Sequence, residues 1–153
     1  MDNIKALKEN LFFQCEAFLN IRLEAVKHTI DQIQEALNSE TKSSAGDKHE
    51  TGRAMLQLER EKAGNQLAEI ERTKQILSKI TIESISRTIG LGSVVFTTQT
   101  NYFIAISAGE LMIEKQKFYA ISASTPMGQL LIGKTVNDEI VFRNQHFKIT
   151  RTL

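Results

Sequence analysis

The chain has 153 residues, is 41% hydrophobic and 24% charged, and carries a formal net charge of +1. That length fits one ordinary domain or two small ones. The small net charge supplies no bulk field for binding nucleic acid or a membrane surface. The single cysteine, Cys15, excludes an internal disulfide, and its apolar neighbours predict a buried thiol in a cytoplasmic protein. The N-terminus lacks the features of a signal peptide, and no apolar run is long enough to span a bilayer.

The composition changes near residue 80. The only proline, five of the eight glycines and most of the aromatic residues lie beyond that point. This shift predicts an α+β protein with two domains, a helical domain over 1–80 and a β-rich domain over 81–153.

The first part of the chain has two long stretches with helical periodicity. From Asn3 to about Asn38, apolar residues recur in steps of four and three, at Leu19, Leu23, Val26, Ile30, Ile33 and Leu37. From about Asp47 to Ile80, a second set repeats at Leu56, Ala63, Leu67, Ile70 and Leu77. The polar stretch between them, about 39–50, is short, so we expect an antiparallel helical hairpin (a coiled coil) with this stretch as its tip. An intermolecular coiled coil is the alternative.

The second part of the chain reads as short strands and one helix. Strand-like segments occupy 93–98, 101–106, 111–113, 117–121, 139–142 and 146–150. Thr125 suits the N-cap of a helix and Pro126 its first position, and Gly133 suits a left-handed end after about Ile132. These signals predict a small antiparallel sheet with one short helix packed on it.

Asp47 and Glu50 are the acids of the predicted tip. They lie three residues apart, so they share one face of a helix. Two carboxylates can hold a divalent cation if a partner supplies the other ligands. The same spacing also fits a variant of the capping box that starts the second helix, and the two interpretations are compatible. Lys48 and Arg53 either contact nucleic-acid phosphates or belong to a solvated, charged turn.

The sequence contains no phosphate-binding loop, dinucleotide fingerprint or nucleophile elbow. It therefore predicts a protein without a self-contained active site, which is not an enzyme by itself.

Two stretches, in the correct order, resemble the bacterial Gre transcript cleavage factors. Gly46-Asp47-Lys48-His49-Glu50 is similar to the family's Gly-Asp-x-x-Glu between its long helices. The segment 124–134 is similar to the family's Ser-Pro segment leading into Leu-Ile-Gly-Lys. The resemblance implies a helical hairpin followed by an FKBP-like domain.

The resemblance also implies a function, that of a transcription elongation factor that binds RNA polymerase. Such factors insert the hairpin tip into the polymerase's secondary channel and stimulate cleavage of backtracked RNA at the nascent 3′ end. By position, the implied acids are Asp47 and Glu50, which hold Mg²⁺ only within the polymerase complex; no cofactor is expected on the chain alone. The implied binding residues are Ile132, Gly133 and Lys134, to which Lys48 and Arg53 are added. A cytoplasmic monomer with no membrane contact is expected, with DNA binding as part of transcription regulation.

The tip departs from the family pattern after Glu50. Where the family continues Asn-Ala-Glu-Tyr, this chain has Thr51-Gly52-Arg53-Ala54. A channel-binding regulator without cleavage stimulation is therefore the second hypothesis. The third is an FKBP-like prolyl isomerase or chaperone module, although such isomerases usually have a tryptophan at the floor of their pocket and this chain has no tryptophan.

Overall fold

A computed structural model describes the backbone of residues 2–42 and 46–153, and their side chains except at 2, 41–42 and 46–49. The elements in chain order are α1 (Asp2–Lys42), α2 (Gly46–Ser78), β1 (Val94–Thr97), β2 (Asn101–Ala105), β3 (Gly109–Ile113), β4 (Gln116–Ser122), α3 (Pro126–Leu131), β5 (Glu139–Phe142) and β6 (Gln145–Thr152). The fold class is confirmed, since a long helical hairpin precedes a sheet with one short helix. In the described ranges, no helix is both long and apolar enough to cross a membrane.

The chain divides into two compact units. One contains Leu19–Lys74, and the other contains Met1–Phe18 together with Gln75–Leu153. The domains 1–80 and 81–153 remain a prediction about which segments fold independently.

Within Leu19–Lys74, α1 and α2 pack along the predicted seam. The six seam residues of α1 are buried or half-buried, whereas most of the residues between them are exposed. On α2, Ala63 and Ile70 are almost completely buried, at 3% and 1% exposure. The guanidinium of Arg53, near the start of α2, reaches the carbonyl oxygen of Leu37, near the end of α1. The helices are therefore antiparallel, as the two heptad patterns predict.

Helix α1 extends further than the sequence indicated. The predicted tip begins near Ser39, but α1 continues to Lys42. The extension follows the seam, because Glu40 lies three residues after Leu37 and is half-buried against Gly52 of α2. The predicted turn at 43–45 lies outside the described residues.

The six strands form one sheet in the order β3-β4-β2-β1-β6-β5. Four of the pairings are antiparallel, but β2 and β4 are parallel, with Tyr102 opposite Tyr119 and Ala105 opposite Ser122. The prediction of a wholly antiparallel sheet is wrong at this pairing. The sheet is mixed.

The parallel pairing arises because β4 inserts between β2 and β3. Three residues, 106–108, connect β2 to β3. They can span the roughly 10 Å that separates two strands with a third between them. The backbone N–H of Ala108 donates to the carbonyl of Ala120 on β4, 3.2 Å away, as the chain passes over that strand. Sequence reasoning paired strands that are consecutive in the chain, which fails when a later strand fills the gap.

The sheet has a buried cluster of side chains on each face. On one face, α3 covers a core cluster that includes Val95, Ile104, Leu131 and Ile149, all with 0% exposure. On the other face, Phe103 and Phe118 are equally buried. The start of α1 belongs to the same unit and touches the sheet, since Gln14 Nε2 donates to the carbonyl of Met112 at 3.0 Å.

Cys15 is fully buried, as predicted. Burial raises the pKa of the thiol to about 12, so it is protonated and inert at neutral pH.

Lys8 is the one buried charged side chain in the described core, with 3% exposure. Its Nζ donates to the carbonyl oxygen of Ser84 at 2.8 Å, which ties the α2–β1 connection to α1. Burial lowers the pKa of the Lys8 ammonium, because the charged form loses water. The exposed ion pair between Lys5 and Glu83, 3.3 Å apart, makes a second tie between the same segments.

We predict that Lys8 adds a pH-dependent term to stability. Between its lowered folded pKa and its ordinary value of about 10.4, the unfolded chain binds more protons than the folded protein. Stability from this group therefore rises with pH across that interval. Lys8→Met removes the term. Urea unfolding is measured at pH 7 and pH 10. The free energy of unfolding of wild type, relative to that of this variant, is expected to be higher at pH 10 than at pH 7.

Lys5→Met, which removes an exposed amine from the same helix, is the control for the loss of one positive charge. A constant difference between wild type and Lys8→Met at both pH values would contradict the assignment.

Candidate functional site

The two tip acids lie in the first two turns of α2. The helix begins at Gly46, so Asp47 is in its first turn and Glu50, three residues later, begins the second. Glu50 is exposed. Acidic residues are favourable here, because the unpaired N–H groups of a helix N-terminus carry partial positive charge. The side chain of Asp47 is not among those described, so its capping contact and the separation of the two carboxylates remain predictions.

The chemistry of this turn fits an incomplete cation site. Among the described residues, no group of three or more His, Cys, Asp and Glu side chains could hold a metal ion. Asp47 and Glu50 provide two hard oxygen donors of the kind that Mg²⁺ prefers. They fit a site that is completed by ligands from a partner.

Arg53 contacts α1. Its side chain is half-buried, and Nη1 donates to the carbonyl oxygen of Leu37 at 3.5 Å. At the preceding residue, a Cβ built on Gly52 would lie 3.4 Å from Oε1 of Glu40, so the Glu40 carboxylate lies against the glycine.

Sequence reasoning missed this contact because it treated Arg53 as a solvated charge. The signal was present: Arg53, Leu56, Arg60 and Ala63 follow one another in the steps of three and four that define the seam. The binding role predicted for Arg53 stays a prediction. That for Lys48 does too, since its side chain lies outside the described set.

The segment Ile132-Gly133-Lys134 follows α3. Thr125 caps this helix, since its Oγ1 accepts from the backbone N–H of Gly128 at 3.1 Å, and Pro126 takes the first position, both as predicted. Gly133 has the predicted left-handed conformation, with φ of 84°. Its N–H donates to the carbonyl of Ile89, and the N–H of Ile89 donates to the carbonyl of Lys134, both at 2.9 Å. The backbone of the segment is therefore fixed.

The two segments paired by these hydrogen bonds, around Ile89 and around Gly133, expose apolar side chains to solvent. Ile132 is 38% exposed, and Leu91 and Val136 are 40% and 39% exposed. All three residues of the predicted binding segment are exposed. Sequence reasoning missed Leu91 and Val136, because nothing in the local pattern of Leu91 shows that its segment pairs with residues 133–134.

His146 has an acidic partner that the sequence did not indicate. Its Nδ1 lies 3.3 Å from Oε1 of Glu139 on the neighbouring strand. Both side chains are more than 60% exposed, which is typical of a solvated surface pair.

A scan against protein-family models gives no match, and a search of curated proteins also finds none. Among solved structures, the chain is similar to that of the transcription factor Gfh1. The two are 22% identical, the alignment covers 88% of this chain and 90% of the other, and the TM-score is 0.34. A likeness of this size carries no argument about function.

We predict that Gly128 cannot be replaced without loss of stability. A Cβ at this position would clash with the carbonyl oxygen of Ser122 and would press on Ala123 and Thr125. Because two of these contacts are backbone atoms, the start of α3 would have to shift. Gly128→Ala is expected to lower the free energy of unfolding by about 2 kcal/mol or more, measured by urea denaturation.

Gly90→Ala is the matched control, since a Cβ there meets no atom within 4 Å. Equal stability of the two variants would show that the close approach at Gly128 has no energetic cost.

Proposed function

We propose that the protein is a Gre-type transcription factor that binds RNA polymerase and stimulates its cleavage of backtracked RNA. One observation supports the proposal most. The acids lie in the first two turns of α2, and the Ile132–Lys134 segment is exposed after α3, so both Gre-like segments are available to a partner.

The hairpin supports this function as a narrow arm. In the unit Leu19–Lys74, two antiparallel helices bury one seam and expose charged side chains elsewhere, together with the apolar side chains of Ile21, Met55 and Leu58. Such a hairpin can enter a channel lined by a partner.

The chain's own residues supply charge at the reacting centre of the polymerase. Mg²⁺, when held jointly by the polymerase and the tip, lowers the pKa of a bound water and stabilises charge on the phosphate. Asp47 and Glu50 would contribute carboxylate oxygens to that site, and Glu50 already faces solvent. The polymerase would hold the RNA and provide the remaining ligands, which agrees with a chain that is not an enzyme alone.

Docking would use the exposed surface around Ile132. The backbone of this segment is fixed to Ile89 by two hydrogen bonds, so its side chains are already in position before a partner binds. Exposed apolar side chains beside Lys134 suit a partner surface with apolar and acidic residues.

The altered tip keeps a second version of this function open, in which the protein occupies the channel without stimulating cleavage. That version stays open because Arg53 places a cation where the family has an acid, three residues after Glu50. The isomerase function is disfavoured. The space between α3 and the sheet is filled by Val95, Ile104 and Leu131, each with 0% exposure, whereas an isomerase needs an open aromatic pocket.

A test of the two acids separates a role in cleavage from a role in capping α2. Asp47→Asn and Glu50→Gln keep side chains that can cap a helix but remove both charges. The double variant is expected to fold and bind polymerase normally, yet to lower the cleavage rate by about a hundredfold, because two oxygen ligands are weakened. The measurement is RNA cleavage by a backtracked elongation complex as Mg²⁺ is varied. Raised Mg²⁺ should partly restore a single variant.

The matched control is Glu59→Gln with Glu61→Gln, which removes two exposed charges further along α2. Undiminished cleavage by the folded tip variant would leave channel occupation as the function. A wild-type protein that binds polymerase but never stimulates cleavage would lead to the same conclusion.

The second prediction concerns docking. Ile132→Glu places a charge on the exposed surface after α3 and is expected to weaken polymerase binding about tenfold or more, without changing the melting temperature. Val141→Glu makes the same change at a 52% exposed position on β5 and should bind like wild type. Binding affinity is measured by fluorescence anisotropy with labelled protein. Equal affinity of the two variants would remove this surface from the interface.

A further inference from the structure

Two consecutive residues of α2 hold the last turns of α1. Arg53 donates from Nη1 to the carbonyl of Leu37, 3.5 Å away, and the carboxylate of Glu40 lies against Gly52, with its oxygens 3.4 and 3.6 Å from the Cβ position. Leu37 and Glu40 are neighbours on one face of α1, three residues apart. The two contacts therefore form one site, which we call the tip lock (Leu37, Glu40, Gly52 and Arg53).

The two members on α2 differ in how far they depend on residue type. A Cβ at Gly52 would lie in ordinary van der Waals contact with the Glu40 carboxylate, so the specific member is Arg53. Arg53 is long enough to cross the seam and carries a charge, which strengthens a hydrogen bond to a carbonyl. At Gly52 and Arg53 this chain differs from the Asn-Ala-Glu-Tyr of the Gre family.

The tip lock lies next to the acids along α2. Glu50 precedes Arg53 by three residues, so the two share a face, and Asp47 lies one turn earlier. The first turns of a helix open most easily, because they have few backbone hydrogen bonds and few buried contacts. A cross-helix hydrogen bond at Arg53 fixes the rotation of these turns about the helix axis.

We propose that Arg53 is a positioning residue, which acts through the first turns of α2 to hold the carboxylates of Asp47 and Glu50 in the orientation that the polymerase site requires. This inference rests on the proposed function and assigns to Arg53 a contact within the hairpin. Misplacement of a reacting group by about 1 Å can cost a hundredfold in rate, so loss of the lock affects cleavage through the position of the two carboxylates.

The test uses Arg53→Met in the full chain, which keeps an unbranched, flexible side chain and removes the guanidinium donors. Arg60→Met is the matched control: Arg60 lies one heptad later on the same seam and is half-buried, and in the described part of the chain it donates no hydrogen bond to α1. Arg53→Lys keeps the charge with a single ammonium donor group and should partly restore whatever the methionine removes.

The first readout is amide hydrogen exchange of the free protein over 37–42 and 47–56. Exchange there is expected to rise about tenfold in Arg53→Met and to stay at the wild-type rate in Arg60→Met. Wild-type exchange in Arg53→Met would overturn the tip lock. This readout involves no polymerase, so it judges the lock even if the proposed function fails.

The second readout is cleavage by a backtracked elongation complex as the protein concentration is varied. Arg53→Met is expected to lower the maximal rate about tenfold and to leave the half-saturating concentration unchanged, with partial recovery in Arg53→Lys. An unchanged maximal rate would overturn the positioning role. Absence of stimulation by wild type as well as by every variant would overturn both the cleavage function and the positioning role, while the exchange result would still stand for the lock.

Discussion

The unit Leu19–Lys74 depends on a single seam between two helices. Each helix packs one narrow face against its partner, and among the described residues of that unit no second layer covers the opposite face of either helix. The buried residues are correspondingly few, with Leu19 and Ile33 on α1 and Ala63 and Ile70 on α2. Isolated helices of this composition are marginal in water, so mutual packing is what keeps them folded. The described cross-helix contacts nearest the connection involve Arg53 and Glu40, which are polar. Such contacts depend on the orientation of the two groups as well as on their distance.

The other unit is organised around a sheet with a buried cluster on each face, and the start of α1 belongs to the same unit. Lys8 illustrates the cost of that arrangement, because a charged side chain is buried in order to satisfy one backbone carbonyl. Leu91, Ile132 and Val136 are among the large apolar side chains that remain exposed in the described part of the chain. They differ from the others in lying next to the paired backbone of Ile89, Gly133 and Lys134.

Much of this structure could be predicted from the sequence, where local signals are strong. The seam of α1, the Thr125 cap with Pro126, and the left-handed Gly133 all follow from spacing or from one residue's conformational preference. The parallel pairing of β2 with β4 could not be predicted, because strand order depends on which distant segments meet.

At the tip, the sequence predicts the position of the acids but not their role. The spacing of Asp47 and Glu50 marks a shared helical face, but that spacing serves capping and metal binding equally well. The sequence does not indicate that Arg53 contacts α1, because its partner is a backbone carbonyl, a group that every residue has. The extension of α1 to Lys42 was missed for a similar reason, since polar residues conceal the continuation of an apolar repeat.

The strand order also determines when the sheet can close during synthesis. Strand β1 lies in the middle of the sheet, yet one of its neighbours is β6, which the ribosome makes about fifty residues later. Until then, Val94 and Val95 belong to a strand with an open edge. Both hairpin helices are complete before β1 is made, since α2 ends at Ser78. The hairpin can therefore fold early. The sheet is incomplete until its last strand is made, and in that interval its open edge can pair with other chains.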